Sequence, residues 1–220
     1  MSLRFVISTA FLLTLASGAF CSDVSWRSLF NGKDLSGWQQ TGEGSFIVQD
    51  GTLKTIGGMG LLWYTNEKLG DSVIRISFKR THPKDDSGLF IRIPKKPTDV
   101  WEAINQGYEV EIGDWPDDYS CTGVLYSLTK ALARPEKVVG EWNTMEVTLD
   151  GPRTIVVVNG VKVTDYTEGQ PVPPKQHNYE PDRGPRPRFG YIGLQNHAAD
   201  SDVFFREVSV RPLRPQGRGR

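Results

Sequence analysis

The sequence predicts an all-β protein, specifically an antiparallel β-sandwich of the jelly-roll type. Roughly a dozen short segments rich in β-branched and aromatic residues follow one another, with turn residues about every eight to twelve positions. No stretch shows the sustained 3.6-residue apolar period of a long amphipathic helix. The chain has 220 residues, which is enough for one large core, so we expect a single domain.

The clearest strand pattern lies in residues 71–80. There Ile74, Ile76 and Phe78 alternate with polar residues, which predicts a half-buried strand with these three side chains facing inward. Further strands are predicted at 61–64, 88–93, 107–112, 122–126, 141–149, 190–197 and 203–210.

Two hairpins are predicted from their turns. Asp50-Gly51 and Asn159-Gly160 each separate two short apolar segments, and both dipeptides favour the two-residue turns of hairpins. Two other segments are expected to be irregular: residues 95–106, which carry Trp101, and the Pro/Gly-rich residues 168–188. Long loops of the second kind are often functional.

Both ends of the chain are expected to lie outside the domain. Residues 1–21 have the pattern of a secretory signal, with Arg4, an apolar run and small residues before a cleavage site after Ala19 or after Cys21. The apolar run is too short to span a bilayer. We therefore expect a secreted or periplasmic protein with no membrane anchor in the mature chain. The domain is then 22–213, followed by a basic, disordered tail at 214–220.

Charge and cysteine content exclude several functional classes. The chain has 26 basic and 26 acidic residues, so no overall field attracts nucleic acid or an anionic membrane. We expect no nucleic-acid partner. If cleavage removes Cys21, Cys121 has no disulfide partner, and we expect it to be a small buried apolar residue. No histidine lies near Cys121 in the sequence, which argues against a thiol nucleophile.

The acidic strand at 107–114 carries the candidate site. Its apolar residues share one face, whereas Glu109 and Glu111 share the other, because side chains alternate along a strand. Two acids on one face belong either to a solvated surface or to the floor of a cleft. In a curved sandwich the face turned away from the partner sheet is open, so we expect both acids to face a concave cleft.

Other polar side chains are expected at the same cleft. The alternation places Arg92, Gln195 and His197 on outward faces of their strands. His197 is the candidate acid or base, since imidazole titrates near neutral pH. His82 and His177 lie in polar loops and are interpreted as ordinary surface residues.

Aromatic residues near the acidic strand are candidate sugar contacts. Trp101 and Trp115 lie in or beside the loops that bracket this strand, although most tryptophans pack in cores. Asp114 follows the strand and is a further candidate substrate contact, or alternatively it could bind Ca²⁺ with Glu109 and Glu111. No calcium-loop pattern and no His or Cys pair with zinc-ligand spacing is present, so no cofactor is expected.

An ordered series of motifs, which extends from about residue 26 to 213, resembles the 3-keto-disaccharide hydrolase domain family. The motifs lie at 29–38, 86–92, 107–112, 122–126, 140–143, 158–160, 193–197 and 203–208. The resemblance implies a concanavalin A-like jelly roll and action on 3-keto-glycosides in exported bacterial proteins. At two positions, Asp86 and Glu111, this chain has an acid where the family often has an amide.

The resemblance also implies a chemistry. A ketone at carbon 3 acidifies the proton on carbon 2, so a base can remove it and expel the group at carbon 1, after which water adds to the enone. The base would be His197 or Glu109, Arg92 the enolate or ligand anchor, and Glu111, Tyr126 or Gln195 a proton donor or hydroxyl binder.

Two alternatives stay open at this stage. Glu109 and Glu111 are the natural pair for direct hydrolysis by two carboxylates. The chain could instead be a non-catalytic carbohydrate-binding module, since lectins use the same fold. In that case His197 and Glu109 would only hydrogen-bond sugar hydroxyls.

Overall fold

The computed structural model describes residues 25–213, which form two antiparallel β-sheets packed as a sandwich, and the predicted fold class is confirmed. The predicted signal segment 1–21 and tail 214–220 lie outside the described residues. The elements are β1 (Arg27–Ser28), β2 (Trp38–Gly42), β3 (Ser45–Gln49), β4 (Thr52–Ile56), β5 (Gly60–Tyr64), β6 (Ser72–Arg80), β7 (Ser87–Ile93), α1 (Val100–Gln106), β8 (Tyr108–Ile112), β9 (Asn143–Asp150), β10 (Arg153–Val158), β11 (Val161–Thr167), β12 (Tyr191–Asn196) and β13 (Val203–Pro212).

The two sheets differ in size. The larger has eight strands in the order β11-β10-β9-β6-β13-β4-β3, with β1 also paired to β13. The smaller has five strands in the order β2-β5-β12-β7-β8. Because β12 pairs with both β5 and β7, residues from near the end of the chain lie beside strands from its first half.

A core of buried apolar side chains fills the space between the sheets. From the larger sheet, β6 contributes Ile74, Ile76 and Phe78, as the alternation predicted. From the smaller sheet, β8 contributes Val110 and Ile112. Full burial of such a side chain stabilises the fold by roughly 1.5–3 kcal/mol. Because these residues face the core, the intervening residues of β8 must face away from it.

Both predicted hairpins are present, β3–β4 and β10–β11. Asp50 and Gly51 have φ angles of 49° and 75°, and Asn159 and Gly160 have φ angles of 48° and 81°. All four lie in the left-handed region that a type I′ turn requires at its two central positions.

The prediction of a loop at 95–106 is wrong for its second half, which forms α1. The helix is capped by Asp99, whose side chain accepts a hydrogen bond from the backbone N–H of Glu102 at 2.9 Å. With seven residues, α1 makes fewer than two turns, which is too short for a helical period to stand out in the sequence.

The prediction of a strand at 122–126 is also wrong, because these residues form no strand. Gly123 has a φ of 93°, which breaks the extended backbone after one residue. These residues nevertheless bond to the free edge of β8: the N–H of Glu111 donates to the carbonyl of Val124 at 3.0 Å, and that of Tyr126 to the carbonyl of Glu109 at 3.0 Å. The edge of the smaller sheet is therefore covered.

Cys121 is buried, as the sequence predicted, and it forms no disulfide within residues 25–213. It packs in the core between the sheets. Within residues 25–213, no helix is both long enough and apolar enough to cross a bilayer.

Candidate active site

The face of the smaller sheet that points away from the core forms the floor of a cavity of about 580 Å³. Strand β8 places Glu109 and Glu111 on this floor, and β12 places Gln195 there. Helix α1, which packs on β7 and β8, contributes Trp101 and Ile104 to the lining.

Seven of the residues predicted from the sequence line this one cavity. They are Trp101, Glu109, Glu111, Trp115, Tyr126, Gln195 and His197. The other lining residues are Met59, Asp86, Ile104, Pro116, Asp117, Ser120 and Tyr179. The cavity thus combines carboxylates, one imidazole and several aromatic rings, a set that suits a sugar with polar edges and apolar ring faces.

Three carboxylic acids are buried at this site. Asp86, Glu109 and Glu111 are 7%, 7% and 3% exposed, respectively. Asp86 immediately precedes β7, the neighbour of β8, and its Oδ2 accepts a hydrogen bond from the indole Nε1 of Trp115 at 3.0 Å. Asp86 is missing from the residues predicted for the site, because the sequence around it predicts a polar loop. The motif around it was the available signal.

Burial raises the pKa of all three acids. The pKa values of Glu109 and Glu111 lie well above their usual value, first because both groups are desolvated and second because Asp86 repels them. Desolvation also raises the pKa of Asp86, although His197 and the Trp115 hydrogen bond oppose this rise. Each of the three carboxyl groups therefore keeps its proton to a higher pH than an exposed acid does.

The hydrogen bond between Glu111 and Asp86 indicates where a proton resides. It raises the pKa of Glu111 and lowers that of Asp86. Asp86 also has the Trp115 N–H to stabilise its anion. The favoured arrangement is therefore a protonated Glu111 that donates to an ionised Asp86.

A glycine on the neighbouring strand makes room for Glu109. A Cβ atom at Gly88 would lie 2.4 Å from Oε1 of Glu109 and 2.7 Å from its Cγ. Real Cβ atoms do not approach heavy atoms so closely. Gly88 has no positive φ, so the position requires glycine for space and not for backbone conformation.

Two buried acceptors of the cavity lack a hydrogen-bond partner within the described part of the chain. They are Oε1 of Glu111 and Oε1 of Gln195. A buried polar atom without a partner costs about 1–3 kcal/mol, so such atoms in a cavity are available to a ligand. Hydroxyl groups are the donors that a sugar would supply.

Arg92 does not reach the cavity, which corrects the prediction that it faces the cleft. Its φ is 57°, and the register between β7 and β12 shifts between Tyr191 and Gly193. This bulge turns the fully buried side chain away from the outer face. The guanidinium donates to the carbonyls of Gly151 at 2.9 Å and Pro187 at 3.1 Å. Arg92 therefore joins β7 to the turn between β9 and β10.

The prediction that Asp114 lies at the site with Glu109 and Glu111 is also corrected. Asp114 is exposed beyond the end of β8 and lines a different cavity, together with Arg80 and Arg134. Asp114 therefore does not join Glu109 and Glu111 in a calcium site. Among residues 25–213, no group of three or more His, Cys, Asp or Glu side chains is arranged to bind a metal ion.

Exposed rings lie among the lining residues. Trp101 and Trp115 are 47% and 40% exposed, so both have free surface on which a sugar ring could stack. His197, which directly follows β12, is also exposed. Trp63 is 2% exposed and packs edge-on against Tyr191 outside this cavity.

Comparison with protein families gives one match. Residues 25–211 match the family described as the 3-keto-alpha-glucoside-1,2-lyase-like domain. No curated protein matches the chain.

Solved structures share the fold. Two candidate glycosyl hydrolases from Parabacteroides distasonis superpose with TM-scores of 0.70 and 0.68, at 22% and 27% identity. Each alignment covers 86% of this chain, and it covers 94% and 100% of theirs, respectively. The carbohydrate-binding module CBM66 from Bacillus subtilis has a TM-score of 0.56 at 14% identity, with 80% of this chain and 95% of that one covered. The family match includes every residue that lines the cavity, and the chain therefore belongs to the 3-keto-alpha-glucoside-1,2-lyase-like family.

Proposed function

We propose that this protein is a carbohydrate-active enzyme that cleaves 3-keto-α-glucosides by elimination across carbons 1 and 2. The observation that carries the proposal is the group of three buried acids, Asp86, Glu109 and Glu111, in a cavity that also has exposed tryptophans. Membership of the family supports the substrate class.

The reaction needs one base and two proton donors. The base removes the proton on carbon 2, which the ketone at carbon 3 acidifies, and an enolate forms. Its electron pair then forms the double bond between carbons 1 and 2, the bond from carbon 1 to the glycosidic oxygen breaks, and that oxygen takes a proton. The products are the free leaving group and an enone, and water can add to the enone.

The enolate is stabilised by a protonated acid in this proposal. None of the described residues that line the cavity is Lys or Arg, and Arg92 is turned away. A carboxyl group kept neutral by burial can donate a hydrogen bond to a developing oxyanion. Glu111 suits this role, because burial and Asp86 raise its pKa, and on substrate binding its single proton would turn from Asp86 to the enolate oxygen.

Tyr126 is the proposed donor to the leaving oxygen. Desolvation raises the pKa of its phenol, so the proton is retained at neutral pH. The base is one of two groups. Glu109, once ionised, is a stronger base than an ordinary carboxylate because its pKa is raised, and His197 is an exposed imidazole of the lining.

The test compares methyl 3-keto-α-glucoside with methyl α-glucoside, which differ only at carbon 3. We expect the wild-type protein to release methanol from the ketone alone. Glu111→Gln should lower kcat by about 10²- to 10⁴-fold, as expected for loss of acid catalysis. Glu141→Gln, which changes an exposed glutamate outside the cavity, is the matched control and should keep full activity.

The other outcomes distinguish the alternatives. Release of methanol from both glycosides would contradict elimination and favour direct hydrolysis by two carboxylates. Binding of the keto sugar without release would favour a non-catalytic binding module, the second candidate, which the similarity in fold to CBM66 supports.

A further inference from the structure

A short exposed segment carries Trp115 to the cavity with the three buried acids. Residues 114–118, which we call the tryptophan loop, follow β8, and the first four of them are exposed. Hydrogen bonds close the base of this loop: the N–H of Thr122 donates to the carbonyl of Gly113 at 2.8 Å, and the N–H of Gly113 donates to Oγ1 of Thr122 at 3.0 Å. Because so little of the loop is buried, polar contacts must fix the residues beyond its base.

Arg134, from the segment between β8 and β9, supplies such contacts. Its Nη1 donates to the carbonyl of Trp115 at 2.6 Å. Its Nη2 donates to the carbonyl of Pro116 at 2.8 Å and to Oδ1 of Asp118 at 2.9 Å. The donors of a guanidinium point in fixed directions within one plane. A single side chain therefore fixes the tryptophan loop at three points.

Trp115 connects the tryptophan loop to the buried acids. Its indole Nε1 donates to Oδ2 of Asp86 at 3.0 Å. A Cβ atom at Gly113 would lie 2.9 Å from both this nitrogen and Oε1 of Glu111, so the indole and the Glu111 carboxyl group contact the same glycine. Since Trp115 is 40% exposed, packing restrains its ring only in part. The direction of its N–H therefore depends on where the backbone of the loop is held.

We propose that Arg134 is a positioning residue that, through the tryptophan loop, holds the Trp115 N–H on Asp86. Arg134 does not line the cavity of the three acids, so it acts on the site through Trp115. With the Asp86 anion stabilised by this hydrogen bond, the proton of the pair stays on Glu111, where the enolate needs a donor. The effect on catalysis rests on the proposed function, whereas the effect on the ionisation of Asp86 does not.

Several groups other than Trp115 also act on Asp86. Desolvation has the largest effect and raises the pKa of Asp86. The groups that lower this pKa are His197, the Trp115 N–H, Glu111 and Arg80, and a further acid that interacts with Asp86 is Glu109. Trp115→Phe keeps an aromatic ring in the cavity and removes the N–H, so this variant isolates the contribution of the indole donor.

The test follows the titration of Asp86 by carbon-13 NMR of its carboxyl carbon, whose resonance is assigned with Asp86→Asn. We expect Trp115→Phe and Arg134→Ala each to shift this titration to higher pH, because each removes or displaces the donor that stabilises the anion. Arg134→Ala should cause no further shift in a Trp115→Phe background. Both single variants should lower kcat/KM for methyl 3-keto-α-glucoside about tenfold, since the lost hydrogen bond is to a charged group. Arg153→Ala, which breaks an exposed pair with Asp165 outside the cavity, is the control and should change neither quantity.

Either of two results would overturn the inference. One is an Asp86 titration that Arg134→Ala leaves unchanged. The other is a shift caused by Arg134→Ala that persists in full in the Trp115→Phe background, because the charge of Arg134 would then act on Asp86 directly. Arg134→Gln, which removes the guanidinium with a smaller loss of volume, replaces the alanine variant if that variant does not fold. A wild-type protein without turnover, in which both titration shifts occur as expected, would contradict the proposed function alone.

Discussion

Glu111 illustrates how a single acid in this cavity affects both stability and chemistry. Desolvation and the neighbouring Asp86 hold the pKa of Glu111 well above its usual value. The folded protein therefore binds more protons than the unfolded chain at pH values between the unfolded and folded pKa. In that range the free energy of unfolding falls as the pH rises.

Glu111→Gln should consequently stabilise the protein at alkaline pH. A glutamine cannot ionise, so the variant avoids the cost of a buried carboxylate. We expect its free energy of unfolding, relative to wild type, to rise as the pH increases above the usual glutamate pKa, while its activity is lost. Urea denaturation at pH 5 and pH 8 measures this difference. A stability difference that does not change with pH would contradict the raised pKa, and Glu141→Gln is the exposed control.

Gly88→Ala tests the position of the Glu109 carboxyl group. The added Cβ would meet Oε1 of Glu109 at 2.4 Å, so the carboxylate must move. A displacement of about 1 Å in a catalytic group can cost about a hundredfold in rate, and we expect a loss of kcat/KM of that order. Gly58→Ala, whose Cβ would meet nothing closer than 3.5 Å, should leave activity intact. Full activity of Gly88→Ala would show that Glu109 has no positional role.

At the level of strands, the site was predictable wherever the alternation is regular. Strand β8 pairs with β7 without a shift, so the outward orientation of Glu109 and Glu111 followed from the sequence. The same reasoning failed for Arg92, because a bulge changes the alternation within β7. Nothing in the local sequence marks this bulge. The groups that bind the Arg92 side chain come from segments far along the chain.

Arg92→Ala should therefore affect stability and not substrate binding. The side chain is fully buried and donates to the carbonyls of Gly151 and Pro187. Loss of these donors leaves buried acceptors unpaired, so we expect the free energy of unfolding to fall by about 2–4 kcal/mol. Denaturant unfolding measures the loss of stability. KM, measured under conditions where the variant is folded, measures any effect on substrate binding. A raised KM with unchanged stability would restore Arg92 as the ligand anchor.

At the scale of the whole molecule, the sequence predicted the fold better than the cleft. The sandwich follows from period-two strands and turn residues, which are local signals. The walls of the cleft depend on contacts between distant segments. Arg186, for example, donates to the carbonyls of Gly107 at 2.9 Å and Asn105 at 2.9 Å. Such contacts hold the irregular segment 168–188 against the end of α1, and no local sequence pattern reveals them.

The fate of the hydrogen on carbon 2 distinguishes elimination from direct hydrolysis. Elimination breaks the bond between carbon 2 and its hydrogen, whereas direct hydrolysis leaves that bond intact. Methyl 3-keto-α-glucoside labelled with deuterium at carbon 2 would be incubated with the protein, and methanol release and the label would be measured together. We expect each released methanol to be accompanied by loss of the deuterium to water. Release of methanol with the deuterium retained on carbon 2 would contradict it.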